Sequence, residues 1–596
     1  MPAMQERPRL ARWWRRPGLW VFLVALIPAG WSLGSSWIAE DTAILGYASG
    51  GAWWADWLGP QYGVRVVSSF WRPVISTAWG LQALFPGAEP GFFRALNLLA
   101  HASCAGVLFA LLRRLGVAEL GALLGAVTLG FFPEQGGTVT WISGRTDLLG
   151  ALSMLLTLLC VFSKHWILAL PLAFLACATK EFAFLLPAWV LILNWTRDGG
   201  SSSILGRRFL VVLAGCVLAF CVRRLALGTW GGGYPARLPS LPAGIAGTAR
   251  AIASSWHPGA LLLLPLLGLA RAAGTLAPRL ALAGGGLWLL GVAPLYPLLA
   301  DGYQEAQNVR LYFVADIGLC VLMASTLARP LLGQVRSKRA LQLALGLGFA
   351  ALLGTRAKSA FEDVSEWSRA AREAEAHERN VRALVAGAEP SDLPVFYAEF
   401  PRSYEGAYCM GFGVADRFRA PFEQTPRPIW PWRSVFGFGE SERPPRASLR
   451  QDGSLWPEDD AALLERLAVT VEGSPQLTIR VDERVLQADP ALAPQLVLDG
   501  LYPGLGFELM VYTPSGYEAV ILGPLGPGAT HRLSLKTLFE HSNGTSSVAT
   551  VLQHAADLGA TRAYLELRLL NTAGEPLGLS PLVELTWDAD FLSRTL

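Results

Sequence analysis

Ionisable residues recur at the ends of long apolar runs: the basic Arg72, Arg145, Lys180, Arg223, Arg224 and Arg310, and the acidic Glu40, Asp41, Glu134, Asp147, Glu181, Asp301 and Glu305. Charged groups at membrane depth are costly unless they pair or line a wet cavity. A set of this kind on one side of a bilayer describes an outward-opening polar cavity that holds an anion beside a working carboxylate. The cations would stabilise negative charge developing on a leaving group, and the carboxylate would take a proton from an attacking hydroxyl. Each residue also suits a plainer role. Arg145 and Asp147, two apart in SGRTD, suit a helix cap, Lys180–Glu181 a turn, and Arg223–Arg224 a displaced span boundary. Asn97 and His101, one turn apart, suit interhelical hydrogen bonding. His257 precedes Pro258 as a lone loop histidine, and the tryptophans at 53, 54, 57 and 71 suit an interfacial belt better than a sugar platform.

Such residues need a membrane scaffold to position them, and composition supplies one. Of 596 residues, 52% are hydrophobic and 16% charged, against about 25% charged in soluble domains; mean hydropathy is +0.37. A net charge of +3 on this length excludes a basic nucleic-acid-binding domain, and the apolar content excludes intrinsic disorder. The 22 Trp and 39 Pro suit aromatic belts and interrupted helices. Cys104, Cys160, Cys177, Cys216, Cys221 and Cys320 lie in apolar runs and Cys409 stands alone in a polar stretch, so no disulfide framework is expected.

The basic N-terminus, residues 1–18, precedes an apolar run from Leu19 to Trp37, expected to be an uncleaved first span with its basic end in the cytoplasm. Residues 38–90 form a first outer loop whose Trp-rich stretch reads as interfacial helices. Apolar runs at 91–112, 117–132, 138–162, 165–179, 181–195, 208–227, 258–274, 278–300, 311–328 and 338–354 bring the expected total to about eleven crossings. Lys and Arg fall in alternate turns: Arg113–Arg114, Lys164, Arg197 with Arg207–Arg208, Arg271 with Arg279, and Arg329 with Arg336, Lys338 and Arg339. That alternation marks those turns as cytoplasmic and sets the transmembrane domain at 19–356, with everything after it outside.

Residues 357–445 read as an amphipathic helix followed by a mixed, Pro-rich segment. Over 446–596, alternating stretches such as QLTIRV, FELMVY and AYLELRLL are separated by Gly and Pro turns, and predict an extracytoplasmic β-sandwich. The fold class expected is therefore an α-helical polytopic membrane protein with a C-terminal β-sandwich domain.

Blocks in a fixed order carry a resemblance. They are the acidic pair Glu40–Asp41, WRP at 71–73, NLLAH at 97–101, FFP…WISGRTDLLG at 131–150, ATKEFAFLLP at 178–187 and NVRLYF at 308–313. Together they resemble the multispanning GT-C glycosyltransferases, in the branch of protein O-mannosyltransferases and the transmembrane tetratricopeptide-type O-mannosyltransferases. The resemblance covers roughly the first 330 residues. It implies a polyprenyl-phosphate sugar donor, inversion at the anomeric centre, and a general base in the first outer loop, which maps onto Asp41 with Glu40 as its alternative. It makes Arg72, Arg145, Lys180 and Arg310 the donor-phosphate ligands, with Asp147, Glu181, His101, Glu134 and His257 supporting. The branch reads H-P-x-H-x-E before its G-R-x-D-L block; here Phe132, Gln135 and Gly137 stand in the His, His and Glu places, and the repeat array is missing.

No metal-ligand spacing, Walker loop or Rossmann fingerprint is present, so no cofactor is expected and the implied reaction is metal-independent. Gly231–Gly232–Gly233–Tyr234 reads as a flexible connection, and the sequon at Asn543 as unused. The expected partners are a polyprenyl-phosphate sugar, an extracytoplasmic acceptor (glycan, lipid or protein) and the lipid bilayer, without nucleic acid. A bias toward Ala, Gly, Leu and Arg suits a bacterial inner membrane. The competing reading is a non-catalytic scaffold or an anionic-solute transporter, the latter disfavoured by the lack of an internal repeat.

Overall fold

The computed structural model describes residues 17–62, 70–85, 89–198, 206–228, 263–295, 310–329 and 339–387, and separate segments between 395 and 586. The folded body is helical, with no strand among its described residues up to Gly387. Every expected apolar run carries a helix, but among the described residues six helices are long and apolar enough to cross a membrane: Pro17–Gly34, Pro90–Arg114, Ile142–Val161, Arg207–Leu227, Pro278–Leu295 and Ala340–Arg379. This corrects the expectation of about eleven crossings. Runs such as 117–132 and 165–179 yield the helices Glu119–Gly130 and Trp166–Cys177, well short of the roughly 20 residues a span requires. Apolar runs overcount spans because turns and caps buried among helices are apolar too. The run from 138 illustrates this: it opens on a π-helical turn, Gly136–Thr140, and a 3-10 turn, Ile142–Gly144, before the helix Arg145–Val161 starts.

The boundary expected at residue 356 lies inside a single helix, Arg339–Gly387. Its first part is apolar; its second is charged, and nothing in the sequence between them breaks a helix. The expected β-sandwich is also corrected. Beyond Gly387 the strands group as one five-stranded sheet centred on Gly506–Thr513 and Arg562–Leu570, a three-stranded sheet centred on Gln495–Asp499, and isolated pairs. No sandwich is seen among the described residues. Alternation predicts that a segment is extended, but it does not specify which sheet face packs on which.

The helices pack through small residues. Pro278–Val292 and Phe313–Thr326 cross so closely that a Cβ on Gly284 would lie 2.5 Å from the Leu322 nitrogen, and one on Gly318 would collide with the Trp288 nitrogen. Such crossings replace the hydrophobic drive that lipid cannot supply with close van der Waals packing. At one end of the bundle the turns interlock: Ala118 N–H donates to Ala328 O at 2.9 Å, Ala277 N–H to Ser325 O at 2.9 Å, and Arg329 N–H to Thr275 O at 3.2 Å. Arg113, Arg271 and Arg329 lie at this end, and the ionisable residues of the candidate site gather at the opposite ends of the same helices.

Candidate functional site

One helix face builds the floor of the site. On Pro90–Arg114, the residues Arg94, Asn97 and His101 are spaced at i, i+3 and i+7, and all three are completely buried. Such burial requires partners. Arg94 donates to the carbonyls of Ser35 and Ser36, and through Nε to Thr140 O at 2.6 Å. Asn97 Nδ2 lies 3.2–3.3 Å from the carbonyls of Val139, Trp141 and Ile142. His101 Nε2 lies 3.2 Å from Gly130 O, and its ring packs against Phe313. These three side chains thus fix two irregular segments, 35–41 and 130–142, whose backbone groups have no regular ladder to satisfy them.

Arg145 belongs to this floor. Its Nε donates to Asn97 Oδ1 at 2.9 Å and its Nη2 to Phe93 O at 2.8 Å, and it is fully buried. Asp147, two residues on, faces a different set: it accepts from Lys180 through Oδ1 and from Arg310 Nη1 through Oδ2 at 3.0 Å. The Arg310 guanidinium carbon also lies 4.3 Å from the centroid of the Trp141 ring, and Trp141 stacks on Trp367 at 5.6 Å. Beside Lys180, Glu181 receives a two-pronged contact from Arg72, at 3.2 Å from Nε and 2.8 Å from Nη2. Arg223, buried near the end of Arg207–Leu227, interacts electrostatically with both Glu181 and Arg72. Arg72, Lys180, Arg223 and Arg310 therefore form one strip with Asp147 and Glu181, and its cations outnumber its carboxylates. A strip of that sign suits an anion, and arginine forks in particular match phosphate oxygens.

Glu40 and Asp41 sit at the start of the helix Asp41–Ser49 and point different ways. Asp41 is 1% exposed; its Oδ2 accepts from Ile38 N–H at 3.1 Å and lies 3.8 Å from Arg94 Nη2. Burial pushes its carboxyl up to about 7, against the pull of Arg94. Glu40 is half-buried, accepts a hydrogen bond from the Ser143 side chain, and interacts electrostatically with Arg310. Burial raises its carboxyl above the usual range, and Arg310 works in the opposite sense. Of the acidic pair, Glu40 thus addresses the cationic strip, whereas Asp41 faces the floor.

Glu134 lies apart from this strip. Its electrostatic neighbours are Arg356, Glu366 and Asp316, and burial raises its carboxyl to about 7. Arg356 itself pairs with Asp316, and Asp363 accepts from Gly136 N–H. In the block that departs from the resembled family, Phe132 packs edge-on to Phe313 at 5.0 Å, and Gln135 Nε2 donates to Gly130 O at 2.7 Å. Gly137 leaves room for Arg310 and Trp367: an added Cβ would lie 3.4 Å from each. Among the described residues, no three His, Cys, Asp or Glu side chains gather as metal ligands. His257, Asp301, Glu305, the 231–234 run and Asn543 lie outside the described residues.

The structure therefore groups Glu40, Arg72, Asp147, Lys180, Glu181 and Arg310 at the site, places Arg145 and His101 in its floor, and places Glu134 elsewhere. Arg94, Trp141 and Trp367 were not singled out as site residues from the sequence; Arg223 stood there among the cations at the ends of apolar runs but not among the expected phosphate ligands. Arg94 carried a legible signal, as a lone cation inside an apolar run three residues before Asn97. Trp367 carried none, since an amphipathic helix shows nothing of what its tryptophan will stack on.

Compared with curated proteins, the chain is similar to the protein O-mannosyl-transferase tmtc2 of Xenopus laevis, 26% identical over 121 residues. That stretch is 20% of this chain and 13% of the frog protein. No protein-family profile matches the chain, and no solved structure matches it. The fold and the similarity together define a class: a multi-pass membrane protein with a distant likeness to glycosyltransferases.

Proposed function

We propose that this chain is a membrane glycosyltransferase that moves a sugar from a polyprenyl-phosphate carrier to an acceptor hydroxyl, with inversion and with Glu40 as general base. The observation that carries the reading is that Glu40, half-buried, interacts electrostatically with Arg310, which shares Asp147 with Lys180. In the proposed step the acceptor oxygen attacks the anomeric carbon and gives its proton to the Glu40 carboxylate. The bond from that carbon to the phosphate oxygen breaks, and the electron pair leaves on the phosphate. The resulting charge falls on Arg310, Lys180, Arg72 and Arg223, whose fixed positions spare reorganisation during the reaction. Burial that raises the Glu40 carboxyl brings it toward working pH, where a general base is most effective.

Asp41 acts in this scheme through the loop, by pairing with Arg94 beneath Glu40. The acceptor is a glycan, a lipid or a protein. Loops rich in Lys and Arg at the opposite end support a working face directed out of the cytoplasm. The test is sugar transfer from a panel of labelled polyprenyl-phosphate sugars. Glu40→Gln should lower turnover by about 10²–10⁴, the contribution of a positioned base, and leave donor binding intact. Turnover unchanged in Glu40→Gln would remove the assignment of the base, and absence of both turnover and donor binding in the wild type would remove the reading.

A further inference from the structure

The loop that carries Glu40 is held from two sides. From below, Arg94 takes the carbonyls of Ser35 and Ser36. From above come residues far along the chain. Arg417, fully buried, donates from Nη2 to Trp37 O at 3.0 Å and from Nη1 to Glu378 Oε2 at 2.9 Å. Its own carbonyl accepts from Arg382 Nη2 at 2.9 Å, so it is tied to the C-terminal half of the helix Arg339–Gly387 through both side chain and backbone. Cys409 O accepts from Ala39 N–H at 2.8 Å, the Cys409 thiol lies 3.3 Å from Ala370 O, and Ser35 Oγ donates to Ser368 Oγ at 3.1 Å.

The held loop is strained where it matters. Ala39, the residue before Glu40, has φ 47°, in the left-handed region. A non-glycine residue there is strained by contact between its Cβ and the following carbonyl oxygen, and it persists only where its surroundings over-determine it. Here the surroundings are Cys409 on the Ala39 amide and Arg417 on the carbonyl two residues earlier. One guanidinium bridging a carboxylate and a carbonyl is a task for a planar fork, which an ammonium does not reproduce.

We propose that Arg417 and Cys409, beyond the membrane helices, strap the 35–41 loop in its strained form, and that Arg417 is a positioning residue for Glu40. The chain beyond the membrane helices is thereby a component of the site. This rests on the reading of Glu40 as the base, and two separate readouts keep the two claims apart.

The experiment measures backbone amide exchange by mass spectrometry across residues 36–41, and steady-state transfer, in the full-length protein with Arg417→Ala and Glu378→Gln. Loss of the strap should speed exchange in this segment about tenfold, as expected when a hydrogen-bonded local structure is released. It should cut kcat about ten- to a hundredfold, the scale of a displacement of about 1 Å in a reacting group, with the donor KM unchanged. Glu378→Gln keeps Arg417 but weakens its tie, and should shift both readouts in the same direction by less; it carries the test if Arg417→Ala does not fold. Unchanged exchange overturns the strap whatever the activity. Faster exchange with unchanged kcat, or a raised KM at constant kcat, overturns the positioning role. A wild type inactive on every donor removes the glycosyltransferase reading, while the exchange measurement still decides whether Arg417 holds the loop.

Discussion

Asp147→Asn is the most informative single perturbation. The Asp147 side chain is 1% exposed and shared by two cations, Lys180 and Arg310, themselves 8% and 9% exposed. At 3.0 Å the Arg310 pair alone is worth about 5 kcal/mol of Coulomb attraction at an effective dielectric constant of about 20, before desolvation is subtracted. Removing one partner of a buried pair leaves the other charge uncompensated, which typically costs about 3–5 kcal/mol. Two cations lose a carboxylate here, so the upper end of that range is expected. The same loss should open the strip to anions. A polyprenyl phosphate at about 100 times its Kd would return about 2.7 kcal/mol by mass action. The assay is the apparent Tm of detergent-solubilised protein, wild type and variant, with and without polyprenyl phosphate. Lys358→Ala serves as control, because the Lys358–Glu362 pair is 74% and 58% exposed and such pairs contribute little. A large Tm loss in Asp147→Asn that the lipid phosphate partly restores supports the strip as an anion site. A loss no greater than that of the control, or one the lipid leaves unchanged, refutes the reasoning.

The remaining predictions concern residues that the geometry separates. Arg145→Ala should cost about 3 kcal/mol or more, since Asn97 and Phe93 O lose a charged donor in a fully buried site; donor affinity of the folded fraction, measured by lipid titration, should not move. Arg223→Ala should raise the donor KM about tenfold through one lost charge-assisted contact, with kcat nearly constant, as read from initial-rate kinetics. Burial holds the Asp41 carboxyl up at about 7, so the folded state keeps its proton longer than the unfolded chain does. Its contribution is therefore present at acid pH and lost as pH rises from the ordinary carboxyl range to about 7. Asp41→Asn removes that loss, and its Tm relative to wild type should rise by a few degrees between pH 5 and pH 8; a constant difference would contradict the sign.

The charged residues of the site were legible in the sequence as a class and much less so as partners. That Arg72, Arg145, Lys180 and Arg310 gather at one end follows from their spacing at the ends of apolar runs. Which of them joins the strip does not. Arg145 and Arg310 look alike in sequence, yet Asn97 draws the first into the floor while Asp147 and Trp141 hold the second in the site. Glu40 and Asp41 are separated only by the turn that begins the helix at Asp41, which sends adjacent side chains in different directions. Arg223, dismissible as a misplaced span boundary, takes its place through Glu181, a residue on another helix. Span number was overread because apolarity marks burial among helices as well as contact with lipid. Arg417 lies in a Pro-rich stretch without periodicity, and nothing local marks it as a partner of Trp37, 380 positions away.

The central claim, that Glu40 takes the acceptor proton beside a cationic strip that receives a sugar phosphate, is tested most directly by transfer kinetics from labelled polyprenyl-phosphate sugars. Wild type, Glu40→Gln and Asp41→Asn are compared at constant pH, with donor binding measured in parallel. Turnover should fall by about 10²–10⁴ in Glu40→Gln with binding retained, and fall much less in Asp41→Asn. Full turnover in Glu40→Gln, with Asp41→Asn inactive, would contradict it.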